Sequence, residues 1–179
     1  ATLERLLAID GQDASPEAWR LLGETSLLSS QPARAVQAYE RAVALTWPNR
    51  ASPPSARGVE VYTGLVDAAI AAKDYGRGAS FAQALAGASA PSSSASLDPV
   101  SARLLLGKAY SAWPGHSKDA LAAYDAAVAA GPSDFRPHLA RGLYLKARGQ
   151  GEAAEASLAQ ARALAPPAQQ ALVRQLTAG

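Results

Sequence analysis

The chain has 179 residues, 49% apolar but only 6% aromatic, with a formal net charge of +2 and a pI near 9.1. It has no Cys and only two His, His116 and His138, which excludes disulfides, thiolate nucleophiles and thiolate metal sites. The charge is well below the basic excess of a dedicated phosphate-backbone binder, and no run approaches the ~20 apolar residues that span a bilayer.

In chain order, the first element is "TLERLLAID" (2–10), amphipathic and read as a cap or as the second helix of an incomplete repeat. Ser15-Pro16 then makes an N-cap followed by Pro at the first helical position. It opens "PEAWRLLGETSLLSSQPARAVQAYERAVALTWP" (16–48), which reads as helix, turn, helix. Trp19, Leu22 and Ser26 share one face of the first helix, and Ala35, Tyr39 and Ala42 face back from the second. The small residues Gly23, Ala35 and Ala42 let the two helices approach closely. A Pro-rich insertion follows (46–58), with Trp47, Arg50 and Arg57.

A degenerate copy occupies 59–85, with Tyr62, Leu65, Val66 and Ala69 in its first helix and Gly78, Ala82 and Leu85 in its second. The Ser/Ala/Pro stretch 87–99 reads as a flexible connection, closed by the N-cap pair Asp98-Pro99. A third copy (103–132) carries Leu106, Gly107, Tyr110, Ala120, Tyr124, Ala127 and Pro132, with one extra residue in the turn around "WPGHS". A fourth (135–166) carries Gly142, Leu145, Gly149, Ala154, Leu158, Ala161 and Pro166 in register. "PAQQALVRQLTAG" then reads as the closing helix that an exposed solenoid end needs.

This recurring pattern is that of the tetratricopeptide repeat (TPR), a helix–turn–helix of about 34 residues. The expected fold is therefore all-α, a right-handed TPR superhelix of about four repeats. Its segments are an N-terminal helix over 1–15, repeats over 16–49, 59–92 (degenerate), 100–134 and 135–168, and a C-terminal capping helix over 169–179. The chain lacks Met, which reads as a trimmed or processed fragment whose targeting segment is missing.

The final repeat, "PSDFRPHLARGLYLKARGQGEAAEASLAQARALAP", resembles the terminal repeat of plastid TPR proteins of the SLOW GREEN type. In those an acidic-Phe-Arg-Pro start leads into a Gly/Tyr helix and a Glu-Ala helix ending Leu-x-Pro. "VYTGLVDAAIAAKDYGRG" is similar to that family's middle segment. The resemblance implies a chloroplast protein that supports thylakoid biogenesis by binding other proteins, with no catalytic residues.

In the TPR architecture the first helix of each repeat lines a concave groove. By register with Trp19-Leu22-Gly23, the groove set is Glu17, Arg20, Glu24 and Leu27, then Glu60, Thr63, Asp67 and Ile70, then Ser101, Leu104, Lys108 and Ser111, and last Arg136, Leu139, Leu143 and Lys146. The groove is expected to run from acidic to basic, a gradient that would orient a partner peptide or helix. Arg141 and Arg148 read as solvated. His138 stands where the first copy has Trp19 and reads as a packing residue. Trp47 and Trp113, each beside Pro, read either as exposed partner anchors or as side chains folded over helix ends.

The Lys/Asn/Asn/Lys/Arg carboxylate clamp of heat-shock co-chaperones is absent, since the only Asn is Asn49. No catalytic set, phosphate loop or metal spacing is legible, so neither an enzyme nor a cofactor is expected. The leading reading is a protein-interaction scaffold. The alternative is a helical-repeat RNA binder that uses the basic C-terminal end.

Overall fold

The computed structural model describes residues 15–48, 55–88 and 98–177. The helix expected over 1–15 thus lies almost wholly outside the described residues, as do Arg50 and most of both low-complexity connections. Every regular element among the described residues is helical: α1 Pro16–Leu28, α2 Pro32–Thr46, α3 Ala56–Ala71, α4 Tyr75–Ala88, α5 Pro99–Ala112, α6 Ser117–Ala130, α7 Phe135–Ala147, α8 Gly151–Leu164, a 3-10 turn Pro167–Gln169 and α9 Gln170–Thr177. The chain forms two compact units, residues 1–98 with α1–α4 and residues 99–179 with α5–α9. Consecutive helices pack as hairpins within each unit, and α1 also touches α3, as α5 touches α7.

Local chemistry places the helix starts. The Ser15 hydroxyl accepts from the Ala18 N–H (3.2 Å), the Ser55 hydroxyl from Gly58 (3.2 Å), and the Asp134 carboxylate from Arg136 (2.9 Å). These are side-chain N-caps that satisfy donors the helix cannot. The Ser55 cap starts α3 at Ala56, so Arg57 and Gly58 are helical rather than part of the Pro-rich insertion.

The cores are built on exchange of side-chain volume across each hairpin. In the first hairpin the Tyr39 ring occupies the space a Cβ on Gly23 would need, at 2.6 Å. In the third, Tyr124 does the same to Gly107 (2.5 Å), and in the fourth Leu158 to Gly142 (2.5 Å). At the corresponding positions of the second hairpin the sizes are reversed, with Val66 on α3 and Ala82 on α4, both fully buried. A close-packed interior accepts either arrangement because the summed volume is kept. Tyr39 is also confined from its other edge, where a Cβ on Gly64 of α3 would lie 2.6 Å from the ring. At the C-terminal end, Val173 of α9 joins Ala161 and Ala165, with Phe135 and Leu139 packed against them.

Candidate interaction faces

In the first unit, α1 and α3 bring charged groups around the Tyr39 phenol. Arg20 is the hub. Its guanidinium donates to Glu17 (Nη2 to Oε1, 2.6 Å) and pairs with Glu24 one turn on. Arg57 at the start of α3 approaches Glu17 at 3.8 Å. The hydrogen bond from Arg20 holds the Glu17 carboxyl below its ordinary range, and Glu17 in turn holds the Arg20 proton more firmly. Burial pushes the Tyr39 hydroxyl up to about 12; the Glu24 charge adds to this, Arg20 opposes it and Asp67 adds again. Arg20, Glu24 and Asp67 thus all act electrostatically on one phenolic oxygen. Thr63 is half-buried and its hydroxyl returns to the Val59 carbonyl (2.9 Å).

In the second unit, Lys108 of α5 and Lys146 of α7 are exposed, and Leu104 is half-buried. Arg136 is exposed but engaged. Its guanidinium meets the Asp134 carboxylate (Nη2 to Oδ2, 2.5 Å) and the Ser101 hydroxyl (3.0 Å), tying the first turns of α5 and α7 together. Leu139 packs against the cluster closed by α9, so its side chain serves the end of the solenoid. Burial pushes the Tyr124 hydroxyl up, while its bond with Ser111 (3.0 Å) opposes this.

The structure overturns the reading of Arg141 and decides between the two readings of each tryptophan. Arg141, read as solvated, donates to Asp125 (Nε to Oδ1, 2.6 Å) and to the Ser157 hydroxyl (2.6 Å), and so links α7 to both α6 and α8. Trp47 is no exposed anchor: it is 5% exposed and meets Tyr62 edge-on at 5.3 Å. Trp113 folds over the end of α5, stacked on His116 with ring centroids 3.7 Å apart. His138, read as a packing residue, is half-buried, with Nε2 3.1 Å from the Pro132 carbonyl. The residues missed were Asp134, which holds Arg136, and Tyr39, whose buried hydroxyl feels the charges of Glu24, Arg20 and Asp67. The "SDFR" spacing was a signal for the first; register assigned the second to packing alone.

No family model matches the sequence, and no curated protein is similar to it in sequence. Solved structures do match in fold. MamA from Desulfovibrio magneticus RS-1 is 18% identical over 90% of this chain and 81% of that one, with a TM-score of 0.61. A thermophilic TPR protein from Thermus thermophilus is 21% identical (90% and 81% covered, TM-score 0.60). YrrB, described as a TPR protein with an unusual peptide-binding site, is 15% identical (97% and 79% covered, TM-score 0.58). At these identities the likeness shows the fold: an all-α, TPR-like arrangement of paired helices.

Proposed function

We propose that this chain is a non-catalytic scaffold that binds protein segments on the inner faces of its first-in-pair helices, α1/α3 in one unit and α5/α7 in the other. The observation that carries the reading is the division of charge between the units. Residues 1–98 hold eight basic and ten acidic side chains, a net of −2, and residues 99–179 hold nine and five, a net of +4. The face around Tyr39 suits a basic segment and the α5/α7 face an acidic one, and such complementarity governs partner choice and register. The peptide-binding site named for YrrB supports peptide recognition by this fold.

Anisotropy titrations with fluorescent Lys-rich and Glu-rich peptides at about 50 mM salt, where screening is weak, test it. The Lys-rich peptide is expected to be lost on combining Glu24→Lys with Asp67→Lys, and the Glu-rich one on combining Lys108→Glu with Lys146→Glu. A chain that binds neither peptide would sink the reading. The finer setting, assembly of plastid complexes, is supported by the resemblance of the terminal repeat alone. Imaging a tagged copy in cells of the source organism tests it, and exclusion from plastids would end it.

A further inference from the structure

Among the described residues, three of the four hairpin turns are one device repeated. Each has three residues, with Ser30, Lys73 or Gly149 in the middle at φ 57°, 61° and 74°. In each the following N–H returns to the carbonyl five residues back: Gln31 to Ser26 (2.8 Å), Asp74 to Ala69 (2.9 Å), Gln150 to Leu145 (3.0 Å). The third hairpin departs from this. Its turn, Trp113 to His116, has four residues, the positive φ falls on Gly115 (86°), and the His116 N–H returns only to Trp113 (3.2 Å). A local break in a solution used three times elsewhere marks a place where something besides folding acts on the sequence.

The longer turn builds a cavity of about 240 Å³. One side is formed by Trp113 and Tyr110, nearly parallel (10°) at 6.5 Å, with His116 stacked on Trp113. Tyr144 and Arg148, from the C-terminal end of α7, also line it, as do Ser111 and Ser117. The lining is held in place: the Tyr144 hydroxyl donates to the Ser117 carbonyl (3.1 Å), and the His116 ring that stacks on Trp113 is itself oriented by Asp119 (Nδ1 to Oδ2, 2.7 Å). Arg148 is exposed and binds no carboxylate among the described residues.

We propose that this cavity is a peptide site that takes a carboxylate on Arg148 with a neighbouring apolar side chain on the Trp113 face. Size selects the occupant. Small-molecule and cofactor pockets run to roughly 300–1,000 Å³, so this volume suits one or two side chains. Charge selects it too, because the guanidinium fork matches a carboxylate and the nearby acid, Asp119, is turned to His116. The site stands on the turn geometry and is separate from the charge division argued above.

The test uses the whole chain and fluorescent forms of two peptides, acetyl-Gly-Leu-Glu-Gly-amide and acetyl-Gly-Gly-Leu with a free C-terminus, each beside a neutral analogue (Gln for Glu, amide for acid). These arms separate a side-chain carboxylate from a terminal one. At least one carboxylate form is expected to bind about tenfold more tightly than its neutral analogue. Arg148→Gln is expected to erase that difference with helicity by circular dichroism unchanged. Trp113→Ala is expected to weaken both forms, with Trp113→Phe intermediate, and Arg41→Gln on α2 to change nothing. Equal binding of charged and neutral peptides overturns the proposal. So does discrimination that survives Arg148→Gln, and if that discrimination instead falls with Lys108→Glu and Lys146→Glu, the α5/α7 face is the binder and not this cavity.

Discussion

Tyr39 has a glycine at each edge of its ring, Gly23 on α1 and Gly64 on α3. A ring confined from both sides cannot tilt away from a new methyl group. Gly23→Ala is therefore expected to cost about 1–3 kcal/mol, the usual range for overpacking a filled core, read as a lower urea midpoint with an unchanged slope. The glycine at 23 and the tyrosine at 39 were both legible from the repeat pattern. The second glycine was not, because Gly64 belongs to the next repeat and the pattern describes each hairpin from within. The same burial has a titration consequence. An unfolded tyrosine ionises near pH 10, whereas Tyr39 in the fold is pushed up to about 12. Its contribution is thus fully present below pH 10 and is lost as pH rises through about 12, since the unfolded chain releases a proton that the fold retains. Absorbance at 295 nm during an alkaline titration is expected to show a late tyrosinate component that Tyr39→Phe reduces, the remainder belonging to Tyr124.

At the scale of elements, helices and caps follow from short-range rules, and so the Ser15 cap and the hairpin positions were legible in advance, while the Asp134 cap was missed. Contacts between elements are a different matter. Arg141 looked solvated because helical periodicity ranks a position by its own helix, while its partners Asp125 and Ser157 lie on α6 and α8, sixteen residues away in each direction. Likewise the extra residue in the third turn was visible, but the cavity it builds also depends on where α7 ends, at Tyr144 and Arg148. The turns themselves give a test. Lys73 sits at φ 61° in the place where the fourth hairpin uses Gly149 at φ 74°. A left-handed conformation costs a residue with a Cβ roughly 1–2 kcal/mol, offset in part by the backbone entropy glycine loses on folding. Lys73→Gly is expected to raise stability by up to about 1 kcal/mol, and Gly149→Ala to lower it by about the same amount. Equal and same-signed shifts in the urea midpoint would show that the left-handed residue is not what these turns require.

For the molecule as a whole, the question is what the basic excess of residues 99–179 is able to hold. Nine basic side chains are present there. Arg136, Arg141 and Arg162 are closed onto Asp134, Asp125 and Glu155 of the same unit, and Arg103 donates to the Pro99 carbonyl (3.0 Å). The other five are Lys108, Lys118, Lys146, Arg148 and Arg174, the last donating to the Gln170 side chain (3.1 Å), and they are spread over α5, α6, the end of α7 and α9. An RNA strand is held by counterion release, and for single strands the slope of log K against log salt is about −0.7 per phosphate neutralised. Five dispersed cations therefore cap the slope at about −3.5, and simultaneous engagement of all five would be needed to reach it. A peptide that meets only one face loses far less. A labelled 15-nucleotide single-stranded RNA is expected to bind weakly at low salt with a slope shallower than that limit, and to be displaced near physiological salt while the Glu-rich peptide still binds. A slope steeper than about −3.5 would mean that the paired arginines open onto phosphate, and the RNA reading would then displace the scaffold.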